Sequence, residues 1–129
     1  MSIELTLLIW SAALAVAYIV VQSTFYRMDY GVIFAGTPRD NERAPNKWTA
    51  RGEKALRNFL ETYGIFIALA VATELAGRSD GLTQWGAQIW FWARVAYLPA
   101  YFIDIPFLRS SIWFVSAIGL FLLFIGVAF

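Results

Sequence analysis

Residues 5–26 read LTLLIWSAALAVAYIVVQSTFY, 22 positions without a charge, and the next residue is Arg27. At 1.5 Å per residue a helix of that length is about 33 Å long, enough to cross a hydrocarbon core about 30 Å thick. A cleaved secretory leader would want a basic start, a shorter apolar centre and a small-residue cleavage site. Here Glu4 is the only early charge and the run ends in Thr24-Phe25-Tyr26-Arg27. A retained membrane helix is therefore expected.

The rest of the chain repeats the theme less cleanly. Ile112 to Phe129 gives 18 further uncharged residues. Between the two lie an apolar centre from Thr62 to Thr73, bracketed by Glu61 and Glu74, and a stretch from Leu82 to Ile103 that contains Arg94. Gly77-Arg78-Ser79-Asp80-Gly81 reads as a turn separating them. Asp104-Ile105-Pro106 breaks the third stretch from the last, because proline disfavours helix in the residue before it. The expectation is one all-α domain over residues 1–129, an integral membrane four-helix bundle with spans at about 4–27, 50–76, 82–103 and 108–129. The polar loop from Met28 to Lys47, with Gly36, Pro38 and Pro45, reads as a connection and not as a second domain.

Composition agrees. The 129 residues are 60% hydrophobic and 15% charged, against about half and a quarter in soluble domains. A water-soluble fold this small could not hide so much apolar surface. The chain has no cysteine and no histidine. That excludes disulfides, thiol nucleophiles and iron–sulfur clusters, and removes the commonest zinc and haem ligand, so no metal is expected. A formal charge of +1 with no basic run points away from nucleic acid.

Seven of the ten Lys and Arg residues fall between Arg27 and Arg57, and Arg109 adjoins the third loop. By the positive-inside rule the first and third loops are cytoplasmic and both termini face out. Trp85, Trp90 and Trp92 then lie toward the outer half of the third helix, and Trp48 near the inner boundary.

The first and last helices are free of charge in their apolar runs; the middle two are not. A charge at membrane depth costs at least about 2.5–3.5 kcal/mol, so it should face protein or water and find a partner. On a helix, Arg51, Lys54, Asn58 and Glu61 fall within an arc of about 80°, with Arg57 flanking it. Arg94, Tyr97 and Tyr101 share a face of the third helix. Glu61 and Arg94 are expected to pair across the second and third helices. Each residue has a plainer reading as well. Arg51, Lys54 and Arg57 could be anchors reaching for headgroups, and Glu61 with Arg94 a structural pair. Together they form a cationic site with one carboxylate and apolar walls. Such a site suits a small zwitterion with two carboxylates and one ammonium, while a lipophilic co-substrate arrives through the bilayer.

Arg51-Gly-Glu-Lys54-Ala55-Leu-Arg57-Asn58-Phe-Leu-Glu61 resembles the helix-2 signature of the MAPEG family, membrane-associated proteins in eicosanoid and glutathione metabolism. Ala93-Arg94-Val-Ala-Tyr97-Leu-Pro-Ala-Tyr101, followed by Arg109-Ser110, resembles its third-helix signature. The resemblance, to bacterial-type members, covers the whole chain. It implies a homotrimer in a bacterial inner membrane, with glutathione as co-substrate held near the cytoplasmic side between subunits. It also implies ligands: Asn58 and Glu61 match helix-2 contacts to the tripeptide, Lys54 stands where an arginine is usual, and Arg57 matches a basic position of some members. Tyr101 and Tyr97 match third-helix ligands, with Arg94 beside them. Arg109 matches the arginine that stabilises the thiolate, with Tyr101 as a second donor, and Arg27 matches a further cation. Trp113 stands where some members have tyrosine, and Gly64 near a position often proline.

The expected activity is a glutathione transferase or peroxidase acting on lipophilic electrophiles. The competing expectation is a non-enzymatic membrane module whose polar stripe serves oligomerisation or binds lipid headgroups.

Overall fold

The computed structural model describes all residues from Met1 to Phe129, and it contains helices and no strands. Four are long: α1 (Ile3–Tyr30), α3 (Lys47–Ala76), α4 (Gly81–Ala100) and α5 (Leu108–Ala128). The fifth, α2 (Val32–Ala35), is a single turn inside the first loop that the sequence reading did not anticipate.

Local chemistry sets the ends. Ser2 caps α1 by accepting from the Leu5 amide at 3.1 Å, and Asn46 caps α3 by accepting from Thr49 at 2.9 Å. Asp80 caps α4 in a reciprocal box with Thr83, each side chain taking the other's backbone amide. Gly77 ends α3 in the left-handed region that glycine enters without steric cost. α4 ends at Ala100, three residues short of the expected boundary. Pro99 lacks an amide hydrogen, and the chain beyond it tightens into short-range bonds, Phe102 N to Pro99 O at 3.0 Å and Ile103 N to Ala100 O at 3.2 Å.

Three of the four long helices, α1, α3 and α5, are long and apolar enough to cross a membrane; α4 is not. Its 20 residues include Gln84, Gln88, Arg94 and a last turn with Tyr97 and Pro99, which leave it short of the apolar character of a membrane-crossing helix.

Hydrophobic burial does not drive helices together in lipid, so close backbone approach and interhelical polar bonds must do it. α4 and α5 meet through glycine. A methyl group on Gly86 would lie 2.7 Å from the Leu123 amide nitrogen, and one on Gly119 would lie 2.6 Å from that of Trp90. Tyr63 hydrogen-bonds Ser11 at 2.9 Å, and the Tyr18 hydroxyl donates to the Arg94 carbonyl at 2.6 Å. Trp90 is fully buried, stacked on Phe66 with ring centroids 3.9 Å apart. This corrects its expected place in an interfacial belt. Trp85 and Trp92 are exposed.

At the end of the bundle holding the α3–α4 turn, Glu4 is fully buried without a cation. Its carboxylate accepts from Ser79 at 2.9 Å and from Thr83 at 2.7 Å, tying α1 to the turn and to α4. At the other end the first loop folds back on α1. Arg39 lies 4.0 Å above the Tyr26 ring, and Arg43 lies 4.4 Å above Tyr30 while pairing with Asp29 at 2.6 Å. This basic end holds the candidate site.

Candidate functional site

Three elements converge at the basic end. α3 supplies Asn58, the last turns of α4 supply Tyr97 and Tyr101, and the first turns of α5 supply Arg109, Ser110 and Trp113. These six line a cavity of about 310 Å³. α5 starts abruptly: Phe107, after Pro106, holds a left-handed φ of 64°, a strained setting for a bulky residue. The turn brings Arg109 back over α4.

Arg109 stacks its guanidinium 4.6 Å above the Tyr101 ring, and Tyr101 packs edge-on against Tyr97 at 5.7 Å. Arg94 in turn lies 4.4 Å from the Tyr97 ring, so a series of cation, ring, ring, cation runs from the cavity into the bundle. Stacking engages the face of a guanidinium and leaves the N–H groups in its plane free to donate. Arg109 makes no hydrogen bond or ion pair within the chain and is exposed.

Beside it lies a second cavity of about 340 Å³, which shares Tyr101, Arg109 and Ser110 with the first and adds Arg51, Asp104 and the loop residues from Ile103 to Phe107. Arg51 donates to Asp104 at 2.5 Å, and Lys47 reaches the same carboxylate at 3.4 Å. The bonded Arg51 guanidinium, and then the nearby Lys47 charge, hold the Asp104 carboxyl below its ordinary range. Arg51 keeps one buried nitrogen, Nη1, without a partner. This clasp between α3 and the α4–α5 loop was not foreseen, since Arg51 read as a headgroup anchor. The available signal was a lone acid in a loop opposite a run of cations.

The expected site residues divide into three sets. Asn58, Tyr97, Tyr101 and Arg109 come together as described. Lys54, Arg57 and Glu61 are exposed along another face of α3. There, Arg57 and Glu61 line a shallow groove of about 550 Å³ with Gln22, Glu53, Leu56 and Leu60. Arg27 is also exposed, donating to Ser23 at 2.6 Å, and lines neither cavity. Arg94 is fully buried behind the cavity wall.

The expected Glu61–Arg94 ion pair is absent. Arg94 donates to Asn58 at 3.0 Å, and Glu61, one turn further along α3, points to the exposed face. The arc that sequence spacing assigns to Asn58 and Glu61 is wide enough to straddle two surfaces, and helix packing puts only its Asn58 side against α4.

No metal-binding cluster of acidic residues occurs in the chain. The donors present are guanidinium, amide and hydroxyl groups, which suit carboxylate, carbonyl and thiolate acceptors.

No curated protein and no solved structure gives a significant match to the chain. The family model described as MAPEG family matches residues 7–129. With almost the whole chain matched and three apolar helices of membrane-crossing length, this is an integral membrane protein that belongs to the MAPEG family, of the glutathione and eicosanoid metabolism type.

Proposed function

We propose that the protein is a membrane-bound glutathione transferase or peroxidase acting on lipophilic electrophiles, with Arg109 stabilising the thiolate. The observation that carries this reading is Arg109 stacked on Tyr101, its donors unpartnered, at the wall of a cavity that also presents Asn58, Tyr97 and Ser110. A free thiol with a pKa near 8.5 is only about 3% ionised at neutral pH. A guanidinium within hydrogen-bond reach favours the anion, each unit of depression being worth about 1.4 kcal/mol. The thiolate then attacks the electrophile directly, and the Tyr101 hydroxyl is a second donor to the sulfur.

The working unit in this reading is a homotrimer of four-span subunits, with α4 as the fourth span, both termini outside and the basic end cytoplasmic. Two features support it. The two sets of candidate ligands lie on different faces of one chain, so a neighbouring copy is needed to bring Lys54, Arg57 and Glu61 of one subunit toward an Asn58–Arg109 cavity of another. Charged groups on a lateral face at membrane depth are also costly unless protein covers them.

The test is the melting temperature of the detergent-solubilised protein with and without millimolar glutathione, together with turnover of a model electrophile. A ligand of the native state raises the melting temperature by mass action. A shift with turnover supports the enzyme. No shift and no turnover supports instead a module whose polar stripe serves assembly or binds headgroups.

A further inference from the structure

Arg94 has no accessible surface, yet only one of its guanidinium nitrogens has a partner. Nη2 donates to the Asn58 side-chain oxygen at 3.0 Å, while Nε and Nη1 have none. Its setting is rigid. The guanidinium lies 4.4 Å from the Tyr97 ring and 5.5 Å from that of Phe59, and the Tyr18 hydroxyl holds the Arg94 carbonyl at 2.6 Å. Tyr18 itself stacks on Phe59 at 4.5 Å.

A guanidinium can only donate. Facing Asn58 from a fixed position, it selects the amide oxygen and turns the amide nitrogen away. That nitrogen has no hydrogen bond within the chain and is not enclosed, and Asn58 forms part of the cavity wall below Arg109. An unrestrained asparagine would offer a ligand either an acceptor or a donor; this one offers donors.

We infer that Arg94 is a positioning residue, which never meets the ligand but locks the Asn58 amide so that its two N–H groups face the cavity. The inference rests on the glutathione reading, and it adds that Asn58 recognises an acceptor on the thiol co-substrate, a peptide carbonyl or a carboxylate. It also gives the unpaired charge of Arg94 a use, since a buried cation is strongly selective for which end of an amide it faces.

Asn58→Asp separates this role from a structural one. The change keeps the side-chain volume, gives Arg94 a charged acceptor and removes both donors. Stability and ligand binding should therefore move in opposite directions. The experiment measures melting temperature, the dissociation constant for S-hexylglutathione, and KM and kcat on the full-length protein in detergent, for wild type, N58D, R94M and R94K. The expected result for N58D is a melting temperature equal to or above wild type, with binding and KM weakened about tenfold or more. R94M should weaken binding severalfold and R94K should recover part of the loss. Should both Arg94 variants fail to fold, N58D still decides, because it leaves Arg94 in place. Binding of S-hexylglutathione by N58D at wild-type strength overturns the inference. Wild-type protein that does not bind S-hexylglutathione overturns the glutathione reading itself.

Discussion

Arg109 rests face-on against Tyr101, 4.6 Å from the ring centroid, with no carboxylate competing for its N–H groups. Stacking fixes a long side chain that would otherwise lose rotamer entropy on binding, so its donors are in place before the ligand arrives. If Arg109 acts by ionising the thiol, its loss has a ceiling set by the 3% of free thiol already ionised at neutral pH, about thirtyfold. Arg109→Ala is expected to lower kcat/KM by up to that factor at pH 7. The deficit should all but vanish above pH 9, where most of the thiol ionises unaided. A pH profile of wild type and variant checks this; a constant deficit at every pH would show that Arg109 positions the ligand and leaves its ionisation alone.

Lys54 offers one point charge where a guanidinium would grip a carboxylate with two parallel bonds. Lys54 is exposed and makes no ion pair, so the longer side chain has room. Lys54→Arg is expected to tighten glutathione binding about threefold, read by calorimetry, with little change in melting temperature.

Asp104 is held ionised by Arg51, so its folded-state pKa lies below the unfolded one. A group of this kind contributes stability that is fully present above the unfolded value and is lost as pH falls through the folded value. The D104N variant should therefore melt lower than wild type at pH 7. The gap should narrow below pH 4 and close in stronger acid. The carboxylate is exposed, so the gap should also shrink in high salt. A difference that persists unchanged into acid would mean that the charge of Asp104 is not what ties the loop to α3.

Glu4 serves as acceptor for two hydroxyls from a place no water reaches. Glu4→Ala removes the acceptor that ties α1 to Ser79 and Thr83 and is expected to cost about 1–3 kcal/mol. Glu4→Gln keeps one carbonyl acceptor and should lose less than half of that. Thermal denaturation of the two variants side by side makes the comparison, and equal losses would point to packing in place of hydrogen bonding.

Gly86 and Gly119 let the α4 and α5 backbones touch. A methyl group at either position would meet backbone atoms at 2.6–2.8 Å, which no side-chain rotation relieves. Gly86→Ala is expected to destabilise by about 1–3 kcal/mol or more. Because Arg109 starts α5, activity should fall with stability. Gly64, where an added methyl group meets nothing within 4 Å, is the control: Gly64→Ala should be neutral or slightly stabilising.

Much was legible from the chain alone. Long uncharged runs from Leu5 and from Ile112 require lipid as solvent whatever they pack against, so membrane insertion and the helical class followed from composition and length. The motif from Arg51 to Glu61, with that from Ala93 to Tyr101 and the Arg109-Ser110 pair after it, sufficed for a resemblance to the family that the chain proves to belong to. Helical periodicity also put Tyr97 and Tyr101 on one face, and both line one cavity, because Tyr101 caps the helix that carries Tyr97 and that geometry is local.

What sequence could not decide was which helix faces meet. Spacing places Asn58 and Glu61 on neighbouring positions of one arc, but only the packing of α3 against α4 turns the first toward Arg94 and the second to the exposed face. The Arg51–Asp104 clasp spans 53 residues, and the burial of Trp90 comes from α3, whose Phe59, Tyr63 and Phe66 rings pack against it. These are long-range facts. A local pattern fixes where a side chain stands on its own helix, whereas its partner is chosen by how whole helices dock, and that choice is made by close backbone approach and buried hydrogen bonds distributed over the entire bundle.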